Sequence, residues 1–312
     1  MRHYHIVASF LFAFASLIVM GQVQATEPAR LMTFQQDGQT YYALSLLPSV
    51  DQKQADASAV VVLFDTSASQ QGAYREKALS SLQALLSNLR PNDRVELLAV
   101  DLGVKPLTQS PVAPGSDDLT ASVNELSKQI PLGSTDLAGA LAAATERLQK
   151  FDGGQRSIVY IGDGISVANL VDTTELTQVV GKLRDARVSV SSYAIGPKLD
   201  AQLLAVLANQ TGGNLYVQAP MVWQQADQGI SDARAQAENA RKAEIAGRTL
   251  AKWTSATVMW PQQVDFASEL GKTYPAMLPP LRSDRDTVII GVTGDVLPNS
   301  VSAAIQTDGA AG

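Results

Sequence analysis

The chain contains no cysteine. That absence excludes disulfides, thiolate metal sites, a cysteine nucleophile and a lipid-modified cysteine behind a leader. Its two histidines, His3 and His5, stand at the extreme N-terminus. They fall inside a stretch laid out like a secretory signal: Arg2, an apolar core from Ile6 to Met20, then Val23, Gln24 and Ala25 before Thr26. The apolar core falls short of the roughly 20 residues a spanning helix needs, so the spacing predicts cleavage and export rather than a retained anchor. No later stretch is apolar enough to span a bilayer. Once residues 1–25 are removed, no imidazole remains. A serine-histidine-aspartate triad, histidine-ligated zinc and imidazole acid-base chemistry are excluded with it. Basic charge is also scarce: the expected mature chain holds 23 basic against 30 acidic residues. Such an acidic balance argues against nucleic acid or an anionic membrane as a general partner.

With 312 residues, 46% of them hydrophobic and 17% charged, the chain can bury a full core and has room for more than one folding unit. Its most informative stretch is Val60–Ser69, V-V-V-L-F-D-T-S-A-S. An unbroken apolar run rich in β-branched residues and bounded by polar ones reads as a strand buried on both faces, as in parallel sheets. Asp65, Ser67 and Ser69 then emerge at its carboxyl end, where open α/β sheets bind ligands. Oxygens at i, i+2 and i+4 of a tight loop can turn toward one point. Hard carboxylate and hydroxyl donors suit Mg²⁺ or Mn²⁺ better than zinc or copper.

The pattern D-T-S-A-S resembles the D-x-S-x-S signature of the von Willebrand factor type A domain, where it is the first segment of a metal-ion-dependent adhesion site. Two further segments follow in that family's order. Thr135 lies in G-S-T-D-L-A-G-A-L at a helix start, and Asp163 follows the apolar run S-I-V-Y-I-G. The resemblance covers roughly residues 58–219. It implies a doubly wound α/β fold with a mainly parallel six-stranded sheet and helices on both faces. It also implies that Ser67, Ser69 and Thr135 hold Mg²⁺ or Mn²⁺ through their hydroxyls, with Asp65 and Asp163 direct or through water. The expected partner is a protein that donates an Asp or Glu carboxylate to the ion.

Taken in order, the chain opens after the leader with residues 26–57, a β-hairpin turning at Asp37-Gly38 and a polar connector. Strands and helices alternate over 58–220. Val95–Asp101, Ser157–Ile161, Val188–Ile195 and Leu215–Gln218 read as strands, with a short edge strand at Val104–Leu107. Leu119, Val123, Leu126 and Ile130 mark one amphipathic helix and Leu137, Leu141, Ala144 and Leu148 the next. Asp172 with Glu175 starts another, and Gly212-Gly213 ends a helix from Leu199 to Asn209. Residues 221–253 read as a long closing helix with Ile230, Ala233, Ala237 and Ala240 as its stripe. Residues 254–312 are again strands without helices, expected to pack with the N-terminal hairpin as a small β-sandwich carrying the α/β unit. That arrangement is similar to the inter-alpha-trypsin-inhibitor heavy chains and their bacterial relatives. Val301–Gln306 runs into the turn signal Thr307-Asp308-Gly309 without a return strand, which predicts a chain that continues past residue 312.

Competing uses of the same residues are weaker. Ser134 or Thr135 would also serve as a helix cap, and Asp136 as a first-turn acid favoured by the helix dipole. Gly162-Asp163-Gly164 approximates a dinucleotide fingerprint, but Asp163 would put negative charge where a pyrophosphate must sit. A haloacid-dehalogenase-type phosphatase would need an acid at position 67, which is Ser, and no G-x-x-x-x-G-K-[ST] loop occurs. Asn209-Gln210-Thr211 reads as a helix end before it reads as a glycan acceptor. The expectation is therefore an exported, non-enzymatic binding domain. The alternatives are a metal-assisted hydrolase using Asp65 or Asp163 as base, or a metal that only rigidifies the domain within an assembly.

Overall fold

The computed structural model describes residues 29–48, 55–218, 232–294 and 303–308. The expected leader at 1–25, Ile230 and the end of the chain after Asp308 lie outside these. The central sheet takes its shape from the alternation of side chains along β3 (Ser58–Asp65), all eight of whose residues are buried. Val60, Val62 and Phe64 point to one core, packed by α1 (Ala73–Ser87), α2 (Asp117–Lys128) and α6 (Asp232–Ser255). Ala59, Val61 and Leu63 point to the other, packed by α3 (Leu137–Leu148), α4 (Thr173–Asp185) and α5 (Ala201–Thr211). A strand buried on both faces needs this two-sided apolar composition, which explains the unbroken run.

Beside β3 stand β4 (Arg94–Val100) and the short antiparallel β5 (Val104–Pro106). On its other side stand β6 (Gln155–Gly162), β7 (Val188–Ala194) and β8 (Leu215–Val217). The order is β5-β4-β3-β6-β7-β8, parallel throughout except β5. From β3 the chain winds outward to β4 and β5, then returns to β6 and winds the other way. The strand order thus reverses between β3 and β6, and the carboxyl ends of those two strands frame the crevice where such sheets hold ligands.

The hairpin forms as expected: β1 (Ala29–Gln36) and β2 (Gln39–Leu46) turn at Asp37 and Gly38, with φ of 51° and 74°. Two positive φ angles in succession define the tight turn that the Asp-Gly pair favours. β12 (Thr287–Thr293) adds to β2 and β10 (Lys272–Tyr274) to β12, giving the sheet β1-β2-β12-β10. A second small sheet contains β11 (Leu281–Arg282), β9 (Val258–Phe266) and β13 (Ala303–Asp308). Their facing residues, among them Tyr42, Leu44, Met259 and Ile289, form a third core. Buried Arg282 ties this platform to the α/β unit: it donates to the Gly212 and Trp253 carbonyls at 2.7 and 3.1 Å and pairs with Asp284 at 2.7 Å.

Several expectations are corrected. In α6, Ala233, Ala237 and Ala240 face solvent, and the buried seam is Ala235, Ala243, Ala246 and Leu250. Alanine carries too little contrast to mark a face, and the seam is set by Gly247, where a Cβ would stand 2.3 Å from the Ser81 carbonyl oxygen of α1. Ile130 lies beyond the end of α2 and is exposed. β13 pairs with β9 within the chain, and Thr307 and Asp308 continue the strand rather than turning. Thr211 is buried and accepts from Val190 N at 2.9 Å, so Asn209-Gln210-Thr211 serves the helix end.

Candidate metal site at the carboxyl ends of two strands

The five residues singled out in the sequence come together. Asp65 ends β3 and is fully buried; its Oδ1 accepts from Ser67 N at 2.8 Å, closing the tight loop. Thr135, from the loop before α3, donates its hydroxyl to the same Oδ1 at 3.1 Å. Ser67 Oγ and Ser69 Oγ lie 3.0 Å apart, and Ser69 donates to Asp163 Oδ2 at 2.6 Å. Asp163 follows β6, and its Oδ1 accepts from Ile165 N at 2.9 Å. Burial pushes the Asp163 carboxyl up, partly offset by the Ser69 hydroxyl and the Ile165 amide.

Backbone bonds fix the three loops to one another. Leu132 N donates to Thr66 O at 2.9 Å and Ala68 N to Gly133 O at 3.1 Å. Ala168 N donates to Thr135 O at 3.2 Å. Glycines make room for the approach. A Cβ on Gly162 would stand 2.5 Å from the Asp65 Cβ, and one on Gly196 would stand 2.8 Å from the Asp163 Cβ. Thr135 does not cap α3; Asp136 does, accepting from Gly139 N at 2.9 Å, which corrects its reading as a first-turn acid. The Thr135 hydroxyl is thereby left to Asp65.

Three residues escaped the sequence reading. Tyr160, buried in β6, donates to Asp65 Oδ2 at 2.8 Å and accepts from Gly164 N at 3.1 Å, so it links the first and third segments. Burial and then the neighbouring Asp65 and Asp163 charges push its pKa well up, which keeps the phenol a donor. Arg75 on α1 packs its guanidinium 4.9 Å above the Phe64 ring and donates to Leu126 O at 2.6 Å, holding the end of α2 from which the Thr135 loop departs. Ser166 accepts from Leu137 N at 3.1 Å and donates toward Thr135 O and Asn169 O, at 3.2 and 2.6 Å. The hydrogen bonds in these three roles reach partners 29 to 95 residues away, except the local Gly164 and Asn169 bonds, and no motif spacing announces such contacts.

The donor set suits a hard divalent ion. Among the described residues no three acidic side chains gather as a cage, so the site is hydroxyl-rich with two carboxylates. Each hydroxyl that spends its hydrogen on a carboxylate keeps its lone pairs for another direction, and an oxygen-seeking cation is the natural recipient. Gln70 lies beside Asp163, and its Oε1 is buried with no hydrogen-bond partner, a spare acceptor at the edge of the cluster.

A family model of the von Willebrand factor type A domain matches residues 58–217, just over half of the chain. Among solved structures, the chain is similar to a von Willebrand factor type A protein from Catenulispora acidiphila. That match has 13% identity and a TM-score of 0.57 and covers 93% of this chain and 72% of the other. It is also similar to the ArnB paralog VWA2 from Sulfolobus acidocaldarius, with 14% identity, a TM-score of 0.49 and coverage of 90% and 75%. Manganese-loaded Plasmodium vivax TRAP shows 20% identity, a TM-score of 0.39 and coverage of 55% and 66%. At 13% identity the likeness to the Catenulispora acidiphila protein shows a shared fold, and the family match supplies the membership. With D-T-S-A-S, Thr135 and Asp163 gathered at the reversal point of a doubly wound sheet, the chain belongs to the von Willebrand factor type A domain family.

Proposed function

We propose that this is an exported, non-enzymatic protein-binding domain that captures a carboxylate of its partner through Mg²⁺ or Mn²⁺. The ion would be held by Ser67, Ser69 and Thr135, with Asp65 and Asp163 behind them. The observation that carries the reading is the meeting of three separate segments in one hydrogen-bonded cluster: Thr135 on Asp65, and Ser67 beside Ser69 on Asp163. Von Willebrand factor type A domains are interaction modules in general, which accords with it. Bound there, a divalent ion supplies a positive centre with an exchangeable position for an anionic oxygen.

The chain's own residues prepare that position. Asp65 and Asp163 draw the hydroxyl hydrogens toward themselves and turn the hydroxyl lone pairs outward. Tyr160 and the Ser67 amide occupy Asp65 from behind, so its carboxylate is committed to the cluster. A fully buried carboxylate accepting three hydrogen bonds is poorly placed to take a proton from an incoming water, which disfavours Asp65 as the base of a hydrolase. Among the described residues no helix is long and apolar enough to cross a membrane.

The test is retention of an immobilised acidic peptide library by the full chain. Binding is expected in millimolar Mg²⁺, to be abolished by EDTA and to be lost in Thr135→Ala with the fold intact by circular dichroism. Retention that survives both EDTA and Thr135→Ala would refute the proposal.

A further inference from the structure

We infer that the partner presents its carboxylate between apolar side chains, which seat on a collar formed by Leu102, Ile130, Leu132, Val167 and Leu170. This rests on the metal-dependent reading above and adds the chemistry of the segment that carries the acid. The five side chains are between 62% and 79% exposed. They come from the loops after β4 and β6 and from the loop between α2 and α3, and these loops are tied to the cluster by backbone bonds. Leu132 N donates to Thr66 O, and Asp136 N donates to Asp101 O next to Leu102. A Cβ on Gly133 would touch Leu102 Cγ at 3.7 Å, and the Ala168 amide beside Val167 donates to Thr135 O. Leu102, Leu132 and Val167 are therefore held beside the cluster by these contacts, with Ile130 and Leu170 in the same loops.

Large apolar side chains held rigidly in water gain free energy only when something covers them, and contiguous exposed patches mark interaction sites. Charge narrows the occupant. The loops 66–72, 101–103, 129–135 and 163–171 contain no lysine or arginine, while Asp101 and Asp163 belong to them and Asp65 immediately precedes the first. No basic side chain of these loops can receive an anionic group. Within these four loops the cation is the one favourable address for an acid on the partner, with Lys198 exposed in the neighbouring loop after β7, and the residues flanking the acid meet leucine, isoleucine and valine. The fit is an Asp or Glu with an apolar residue on either side, on a protruding or extended protein segment.

Two capped peptides test this against the full chain by calorimetry in millimolar Mg²⁺: Gly-Phe-Glu-Leu-Gly and Gly-Ser-Glu-Ser-Gly. The first should bind about tenfold tighter, equivalent to about 1.4 kcal/mol. In the double variant Leu132→Ser with Leu170→Ser the two peptides should become equal, with Mg²⁺ affinity unchanged as proof that the cluster is intact. Both substitutions touch exposed side chains, so the core is undisturbed. Equal binding of both peptides to the wild type, lost in EDTA, overturns this inference and leaves the metal-dependent reading standing. Binding of the Phe-Glu-Leu peptide that EDTA does not alter overturns the reading itself. Absence of binding at millimolar peptide overturns the inference, as does Mg²⁺-dependent self-association in sedimentation that blocks the peptide, which would assign the collar to a second copy of the chain.

Discussion

Asp65 receives hydrogens from the Ser67 amide, the Thr135 hydroxyl and the Tyr160 phenol, one from each of three chain segments. Removing one donor leaves an oxygen of a buried carboxylate short of a partner, and bonds to charged groups contribute about 1.5–3 kcal/mol. Tyr160→Phe should therefore lower the unfolding free energy by about 2 kcal/mol in urea titration, since it also strips the acceptor from Gly164 N. A loss within experimental error would mean that the phenol does not bridge the two segments. At this scale the gathering of the five motif residues was legible: Asp65, Ser67 and Ser69 because a short loop carries acid and hydroxyls at fixed offsets, Thr135 and Asp163 through the resemblance to the von Willebrand factor type A domain. Tyr160 and Arg75 were not, since an apolar strand and an ordinary helix each accommodate them without any sign of a distant partner. Asp136 was misread because a threonine and an aspartate side by side both make good caps, and only the engagement of Thr135 with Asp65 decides between them.

Among the elements, the α1–α6 pair is closely packed enough to feel a single methyl group. Gly247→Ala would gain about 1 kcal/mol of helix propensity, yet its Cβ would meet the Ser81 carbonyl, a backbone atom that cannot rotate away. Overpacking costs about 1–3 kcal/mol, so net destabilisation is expected, read as a lower denaturation midpoint. A midpoint that rises would show that the helices have room to part. On the same pair, Lys77 is buried beside Lys242, and burial, then the neighbouring ammonium, lowers its pKa to about 8. A lysine with a lowered folded pKa carries its full cost below that value and loses it as pH rises toward the unfolded value, 10.5. Lys77→Met should thus stabilise the fold by about 1 kcal/mol at neutral pH, and the gain should shrink between pH 8 and 10.5. A gain constant across that window would place the ammonium in solvent. The strand-helix alternation was readable from periodicity, whereas the face of α6 was not, because its alanines give both sides of the helix nearly equal hydropathy.

For the whole molecule, the β platform sets an apolar interior against an outer sheet face that also carries apolar residues, including Met32, Phe34 and Ile290. Ile289 and Ile290 separate the two faces. Ile289 is fully buried in the third core and Ile290 is 56% exposed. Ile289→Ala should cost about 2–4 kcal/mol and Ile290→Ala within about 0.5 kcal/mol of nothing, by chemical denaturation. Equal costs would put the register of β12 against β2 in error. The presence of strands before and after the α/β unit was legible from their turns, but their pairing was not, since joining β2 to β12 needs contacts across the full length of the chain. Direct titration of Mg²⁺ into the full chain by calorimetry tests whether Ser67, Ser69, Thr135, Asp65 and Asp163 form one divalent-cation site. Saturable binding to a single site is expected, abolished in Asp65→Ala and in Asp163→Ala with both variants folded by circular dichroism. Heat of binding that persists unchanged in both variants, or none in the wild type at millimolar Mg²⁺, would contradict such a site.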